Sequence, residues 1–158
     1  MSVPKRYWDS SCFLAWLLPE PPRVPACRSV LHAAERGELV IVTSAIALTE
    51  VVKLKGQPRL KAEQEKKIKA FFENDYIVVR NADRFTAEAA RDLIWQHSHL
   101  NHKDAIHLAT AIRYRVETLD TFDSDLLSLN GQLQGVQLTI GTPHAAEQEE
   151  LPFSPKTT

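Results

Sequence analysis

The sequence has few cysteines, no long apolar run and almost no net charge. Its 158 residues include two cysteines, Cys12 and Cys27, which are too few for a disulfide framework or a cysteine-based metal site. We interpret both as small buried hydrophobic residues. No apolar stretch approaches the roughly 20 residues that a membrane helix needs, and the first residues do not resemble a signal peptide. We therefore expect a cytoplasmic protein that does not bind membranes.

A net charge of -1 excludes a generally basic surface, but the basic residues are unevenly distributed. Seven of them lie between residues 53 and 69, against two acidic residues. Among the seven, Lys53, Lys55 and Arg59 are candidates for contact with the phosphate backbone of a nucleic acid. The alternative is a solvated helix face stabilised by ion pairs four residues apart, and the charge pattern alone favours this alternative.

Short β-branched segments alternate with helical segments along most of the chain. The clearest strand covers residues 39–43, whose continuous apolar run suits a strand buried on both faces. Ser10 or Ser11 can cap a first helix, which the prolines of residues 19–25 must end. Further strands are predicted at residues 6–8, 76–79, 116–121 and 136–140. Further helices are predicted at residues 27–36, 45–54, 60–72, 86–97 and 102–114, with a turn or short helix at 123–129.

This alternation predicts βαβ units, a parallel sheet and helices on both of its faces, in one α/β domain over residues 1–141. Residues 142–158 are rich in proline and acidic residues, and we interpret them as a flexible tail. Ligands of open parallel sheets bind at the carboxyl ends of the strands. Residues that directly follow the strands are therefore the first candidates for function.

Four carboxylates occupy such positions or border them. Asp9 ends the first strand, where it could instead cap the next helix. Glu50 borders the apolar stripe of the helix predicted at residues 45–54, where it could instead reach water or pair with Lys53. Asp104 lies in the first turn of its helix, a position that acids favour for the helix dipole alone.

The fourth carboxylate, Asp123, follows the strand predicted at residues 116–121. Thr121 lies two residues before it, so that both side chains can point the same way. The alternative is that Asp123 only forms a turn or a helix cap. Asp120 and Asp125 are further acids nearby. We expect most exposed acids to have no direct role, and we assign Asp125 a supporting role at the site.

Taken together, four acids at one edge of a sheet would repel each other strongly, and a bound divalent cation relieves such repulsion. Oxygen ligands select hard ions, Mg²⁺ or Mn²⁺. A carboxylate-held ion of this kind can bind phosphate oxygens and activate water. The acid set therefore indicates phosphodiester hydrolysis, with Asp9, Asp104 and Asp123 as direct ligands and Glu50 as a ligand that acts directly or through water.

The same segments resemble the PIN-domain nucleases, especially the toxins of VapBC-type toxin–antitoxin pairs. The resemblance covers about residues 6–141, and its most specific part is the Asp-Ala-Ile-His-Leu-Ala run from Asp104 followed by Thr121-Phe122-Asp123. The remaining matching segments are Trp8-Asp9-Ser10-Ser11, Thr43-Ser44-Ala45 and Glu50-Val51.

The resemblance implies a compact α/β/α sandwich with a parallel sheet of about five strands. It also implies Mg²⁺- or Mn²⁺-dependent cleavage of single-stranded RNA, a cognate antitoxin that wraps the protein, and a homodimer. Carried over by position, the acidic residues of the family correspond to Asp9, Glu50, Asp104 and Asp123. Its small polar positions near the metal correspond to Ser10 or Ser11 and Thr121. Two alternatives remain: a housekeeping nuclease of RNA maturation, and a non-catalytic module that binds RNA or protein.

The histidines between residues 97 and 107 invite a zinc interpretation. No cysteine is close to them, and no two histidines lie four residues apart within one predicted helix, so a polar loop between two helices is the better interpretation of His97, His99 and His102. His107 could contact the acidic residues or take part in helix packing, and we favour packing.

Overall fold

A five-stranded parallel sheet forms the centre of the protein, with the strand order β3-β2-β1-β4-β5. The structure is a computed structural model that describes residues 2–18 and 21–144. The strands are β1 (Lys5–Trp8), β2 (Val40–Ser44), β3 (Ile77–Arg80), β4 (Thr118–Asp120) and β5 (Thr139–Gly141). The predicted parallel α/β sheet is therefore confirmed, including its number of strands.

Seven helices lie between these strands in the described residues. They are α1 (Ser10–Leu17), α2 (Val24–Glu35), α3 (Ala47–Glu50), α4 (Ala62–Phe72), α5 (Arg84–Gln96), α6 (His102–Arg113) and α7 (Ser124–Leu127). None of the described helices is long and apolar enough to cross a lipid bilayer.

Alternating residues of β1 divide the core between the two faces of the sheet. Trp8 packs with Phe13 and Ile41 on the face covered by α1, α2 and α4. Tyr7 packs with Leu108 and Leu119 on the face covered by α5, α6 and α7. Because both faces of the sheet are covered, most residues in its central strands are buried. The result is the three-layer α/β/α sandwich that the alternation of strands and helices predicts.

The strand order reverses between β1 and β4. From β1 the chain adds β2 and then β3 on one side, and later adds β4 and β5 on the other side. Such a switch point opens a crevice at the carboxyl ends of the two central strands, where α/β proteins bind their ligands. The segments that follow β1 and β4, residues 9–11 and 121–123, therefore flank this crevice.

Two predicted helices differ from the structure by three or more residues at one end. The helix predicted at residues 45–54 is wrong in length, because α3 has four residues and Val51 instead forms an isolated bridge with Lys53. The neighbouring β-branched Val51 and Val52 disfavour continuation of the helix. The helix predicted to begin at residue 27 begins at Val24, with Pro25 in its first turn, where the missing N–H of proline has no helical partner to lose.

Asp120 has a structural role. It is fully buried, and its carboxylate accepts hydrogen bonds from Arg6 Nη2 (2.6 Å), Arg6 Nε (3.0 Å) and Trp8 Nε1 (2.9 Å). These three donors occupy both carboxylate oxygens. Asp120 therefore ties β4 to β1 beneath the crevice. The predicted tail lies outside the described residues from residue 145 onward and stays a prediction.

Candidate functional site

Asp9 follows β1 and caps α1 with its own side chain. Its Oδ1 accepts hydrogen bonds from Ser11 Oγ (2.6 Å) and the Cys12 backbone N–H (3.3 Å), and its Oδ2 accepts one from Thr121 Oγ1 (2.5 Å). The prediction that Ser10 or Ser11 caps α1 is therefore wrong. A carboxylate suits this position better than a hydroxyl, because the N-terminal end of a helix carries a partial positive charge.

The Asp9 carboxyl is 3% exposed, and its burial raises its pKa above the ordinary value. The nearby His107 and the hydrogen bond from Ser11 lower the pKa and so oppose the effect of burial. An ionised carboxylate buried to this extent needs donors or a cation to stabilise its charge. The hydroxyl groups of Ser11 and Thr121 supply two of these donors.

Ser11 and Thr121 also connect the two segments that flank the crevice. The Phe122 backbone N–H donates to Ser11 Oγ (3.0 Å), and the Asp123 backbone N–H donates to Thr121 Oγ1 (2.9 Å). Each hydroxyl thus donates to Asp9 and accepts from the segment after β4. Ser10, the other small polar candidate, begins α1 and has no side-chain hydrogen bond to these residues.

Asp104 lies in the first turn of α6 and is fixed by Asn101, which caps this helix. Asn101 Nδ2 donates to Asp104 Oδ2 (2.9 Å), and the Asp104 backbone N–H donates to Asn101 Oδ1 (2.8 Å). Burial, together with the neighbouring charges of Asp123 and Asp9, raises the pKa of the Asp104 carboxyl to about 6. The three acids are therefore close enough to affect one another's ionisation.

Asp123 caps the short helix α7. Its Oδ1 accepts hydrogen bonds from the backbone N–H groups of Asp125 (2.8 Å) and Leu126 (3.2 Å), which leaves Oδ2 free of protein donors in the described residues. Oxygen atoms of Asp104, Asp123 and the exposed Asp125 all lie within 4.8 Å of one another. We call these three residues the acidic triad.

The donor chemistry of the acidic triad fits a hard divalent ion. All three ligand atoms are carboxylate oxygens, the type that Mg²⁺ and Mn²⁺ prefer. Oxygens on opposite sides of Mg²⁺ lie about 4.2 Å apart, since each bond is about 2.1 Å. Adjacent oxygens around Mg²⁺ lie about 3.0 Å apart. The three carboxylates, whose oxygens lie within 4.8 Å of one another, would therefore move closer together to bind one ion.

Glu50 is not part of the acidic triad. It ends α3, and its Oε1 lies 2.6 Å from His107 Nε2. His107 is 1% exposed, and its other ring nitrogen, Nδ1, lies 2.6 Å from the hydroxyl of Tyr7. His107 therefore packs in the core, as we expected, but it also binds one of the predicted acids. Its spacing of three residues from Asp104, which places both on one helix face, is the sequence signal for this role.

The basic candidates lie on an exposed loop between α3 and α4. Lys53 Nζ donates to the backbone carbonyl of Gln57 (2.9 Å), and Arg59 forms an exposed ion pair with Glu65 (3.4 Å). Lys55 is also exposed. The alternative placed these basic residues on a solvated helix face. Lys53, Lys55 and Arg59 do not lie on one, because α4 begins only at Ala62.

The histidine loop has no metal-ligand arrangement in the described part of the chain. The rings of His97 and His99 lie 6.4 Å apart, and His99 Nε2 contacts Ser128 Oγ at 3.4 Å. Within residues 2–18 and 21–144, the acidic triad is the group whose atoms could hold a metal, and it contains no histidine. The polar-loop interpretation of these histidines agrees with this geometry.

The fold and the site define a class: a three-layer α/β domain with an acidic cluster at the switch point of a parallel sheet. Within this class, the chain belongs to the PIN domain family, whose sequence model matches residues 6–131. The sequence matches none of the curated proteins with which it was compared.

Several solved structures share the fold. The sarcin-ricin loop cleaving toxin VapC20 of Mycobacterium tuberculosis has a TM-score of 0.60 and 17% identity, over 76% of this chain and 91% of that chain. A toxin–antitoxin complex from Klebsiella pneumoniae has a TM-score of 0.61 and 22% identity, over 88% and 98%. FitAcB from Neisseria gonorrhoeae has a TM-score of 0.58 and 16% identity, over 87% and 97%. At these identities the likeness shows the fold.

Proposed function

We propose that the protein is a Mg²⁺- or Mn²⁺-dependent endoribonuclease that hydrolyses single-stranded RNA and acts as the toxin of a VapBC-type pair. The observation that carries the proposal is the acidic triad, with ligand oxygens within 4.8 Å of one another at the switch point of a PIN domain. Asp9 lies close enough to Asp104 for its charge to raise the pKa of that carboxyl.

Asp104, Asp123, Asp9 and Asp125 would hold the cation. When bound, a divalent ion polarises the scissile phosphate and makes water more acidic. The protein holds three of these four carboxylates in place before the metal binds. Asn101 holds Asp104, the start of α7 holds Asp123, and Ser11 and Thr121 hold Asp9. Ligands that do not reorganise on binding give a tighter and more selective site.

Glu50 is suited to accept the proton of the attacking water. His107 occupies its Oε1, while Oε2 has no protein donor among the described residues, and the carboxylate is partly exposed at 15%. A carboxylate with one fixed oxygen and one accessible oxygen can act as a general base. Lys53, Lys55 and Arg59, on the loop that follows Glu50, would contact RNA phosphates on the same side of α3.

The toxin role rests on the solved structures of similar fold, which include the toxin VapC20 and a toxin–antitoxin complex. An apolar groove of about 310 Å³ beside the site, between α3 and α4, offers a surface for an antitoxin. It is lined by Leu48, Val51, Val52 and Ile68, with the charged Glu65 and Lys69 beside them. Leu48 and Val52 are 47% and 53% exposed. Side chains of this type favour an apolar helical segment of a partner.

The test is cleavage of a fluorescent single-stranded RNA by the purified protein. We expect cleavage with Mn²⁺ or Mg²⁺, none after chelation, and none of single-stranded DNA of the same sequence. Asp104→Asn should abolish cleavage, while Asp92→Asn, an exposed acid on α5, should leave it unchanged. Full activity of Asp104→Asn, or activity in the presence of a chelator, would contradict the metal-dependent mechanism.

A second experiment separates the toxin role from a housekeeping role in RNA maturation. Expression of the wild-type protein in its host should arrest growth, and co-expression of a small DNA-binding protein encoded directly upstream should relieve the arrest. Light scattering of the purified protein tests the proposed homodimer. Cleavage of RNA without growth arrest would favour the housekeeping nuclease.

A further inference from the structure

Three side chains form a buried hydrogen-bond chain that ends at Glu50. The hydroxyl of Tyr7 lies 2.6 Å from His107 Nδ1, and His107 Nε2 lies 2.6 Å from Glu50 Oε1. Tyr7 is fully buried and His107 is 1% exposed. Their rings also pack edge to face, with centroids 5.7 Å apart. The imidazole is therefore held in one orientation from both sides.

The orientation of the Glu50 carboxylate depends on a single partner, His107, more than that of the other acids in the site depends on any one residue. The carboxylates of Asp9 and Asp123 accept hydrogen bonds from backbone N–H groups at helix starts. Glu50 ends a helix of only four residues that has no side-chain cap. Among the described residues, His107 is the one hydrogen-bond partner of its carboxylate. Without His107, the Glu50 side chain would be free to rotate.

The hydrogen-bond chain selects one form of the imidazole. The tyrosine hydroxyl is protonated at neutral pH, so it can donate to Nδ1. When Nδ1 accepts, the proton of the neutral ring lies on Nε2, which can then donate to Glu50 Oε1. This direction satisfies all three groups, which matters because unsatisfied buried polar atoms are costly.

The position of His107 in α6 relates Glu50 to the acidic triad. Asp104 lies three residues before His107 on the same face of the helix. The ring of His107 also lies near both Asp104 and Asp9, close enough that a protonated ring would lower the pKa of each carboxyl. One helix thus carries a proposed metal ligand and, about one turn later, the group that fixes Glu50.

We propose that His107 is a positioning residue: as the Nε2–H tautomer fixed by Tyr7, it holds Glu50 so that Oε2 is free to act at the site. The proposal rests on the proposed nuclease function and names the part of it that Glu50 performs. His107 itself touches neither substrate nor metal. Groups that orient metal-site carboxylates typically change metal affinity or activity 10–100-fold when they are replaced.

A purely structural histidine would give a different result in a double-mutant cycle. If His107 acts only through Glu50, then His107→Ala lowers kcat roughly 10–100-fold in the wild-type background, with little change in KM. In the Glu50→Gln background, the same replacement has no further effect on kcat. A structural role would instead give the same loss in both backgrounds, because a loosened core does not depend on Glu50.

Two further variants keep the cycle interpretable if His107→Ala is unstable. His107→Gln keeps an N–H donor near the position of Nε2 and should recover part of the activity. His32→Gln, at an exposed histidine on α2, is the matched control and should behave like wild type. Equal activity of His107→Ala and wild type, or equal losses in both backgrounds, would overturn the proposal.

The tautomer gives a readout that needs no RNA. In the metal-free protein with ¹⁵N-labelled histidine, the His107 signals should show a protonated Nε2 and an unprotonated Nδ1, and Tyr7→Phe should weaken this preference. A protonated Nδ1 with a bare Nε2 would overturn the proposal. If the wild type fails to cleave RNA, the proposed function fails, while the tautomer of His107 still tests whether its Nε2–H is directed at Glu50.

Discussion

Thr121 Oγ1 donates a hydrogen bond to Asp9 Oδ2, which joins the ends of β4 and β1 across 112 positions of sequence. The same hydroxyl accepts the backbone N–H of Asp123. One buried side chain therefore sets the positions of two proposed metal ligands relative to each other. Removal of the Thr121 hydroxyl should therefore disturb the proposed metal site more than the fold.

The replacement Thr121→Val tests this relationship, because valine keeps the shape and removes the hydroxyl. We expect Mn²⁺ affinity to fall roughly 10–100-fold and the free energy of unfolding to fall by about 1–3 kcal/mol, since the Asp9 oxygen and the Asp123 N–H lose a buried partner. Calorimetry with Mn²⁺ and urea unfolding measure the two effects. Thr139→Val, at an exposed position of β5, is the control. Unchanged Mn²⁺ affinity of Thr121→Val would contradict the role given to the hydroxyl.

Asp104 should destabilise the metal-free protein at neutral pH. Because burial and the nearby acids raise its pKa to about 6, the folded state binds a proton more tightly than the unfolded state. The stability that this proton contributes is present at about pH 4 and is lost as the pH rises through 6. Asp104→Asn removes the charge, so it should stabilise the metal-free protein by up to about 3 kcal/mol at pH 7.5 and by little at pH 4.

Urea unfolding of wild type and Asp104→Asn across this pH range measures the difference, with a chelator present throughout. Adding Mn²⁺ at pH 7.5 should reverse the order, because the ion stabilises the wild type and not the variant. A lower stability of Asp104→Asn than of the wild type at pH 7.5, without metal, would contradict the proposed repulsion within the site.

The α/β class of the fold could be predicted from the sequence, but the order of the strands in the sheet could not. The β-branched run at residues 39–43 and the alternation of strands and helices are local signals, and both agree with the structure. The order β3-β2-β1-β4-β5 depends on contacts between residues far apart, which local periodicity does not record. The ends of the strands also depend on such contacts. The sequence predicts a strand at residues 116–121, whereas β4 covers only Thr118–Asp120.

The candidate site divides in the same way into residues that local signals identify and contacts between distant residues that they do not. Asp9, Asp104 and Asp123 could be found because each stands beside the end of a predicted element. The contact between His107 and Glu50 could not, because 57 positions separate the two residues and α3 is shorter than its sequence pattern indicates. Asp125 was given only a supporting role, since an exposed acid carries no sequence signal that separates a ligand from a solvated side chain.

The buried ion pair between Arg6 and Asp120 should behave as a unit. Arg6→Met leaves the Asp120 charge buried with only Trp8 as a donor, so the free energy of unfolding should fall by about 3–5 kcal/mol. In the double variant Arg6→Met/Asp120→Asn the buried charge is gone and the amide oxygen still accepts from Trp8. We expect the double variant to be more stable than Arg6→Met in urea unfolding, and the reverse order would show that desolvation of Asp120 is not the main cost.

The exposed basic loop should govern RNA affinity and leave the chemical step unchanged. Replacing Lys53, Lys55 and Arg59 together by alanine removes three charges next to the site, and none of them contacts the acidic triad. Each phosphate contact to single-stranded RNA contributes about 0.7 to the slope of log affinity against log salt, so three contacts would reduce this slope by about 2. We therefore expect a higher KM, an unchanged kcat and a weaker salt dependence in the RNA cleavage assay. Arg84→Ala/Arg91→Ala, on the exposed face of α5, is the control for loss of positive charge alone. An equal rise in KM in this control variant would contradict the role given to the basic loop.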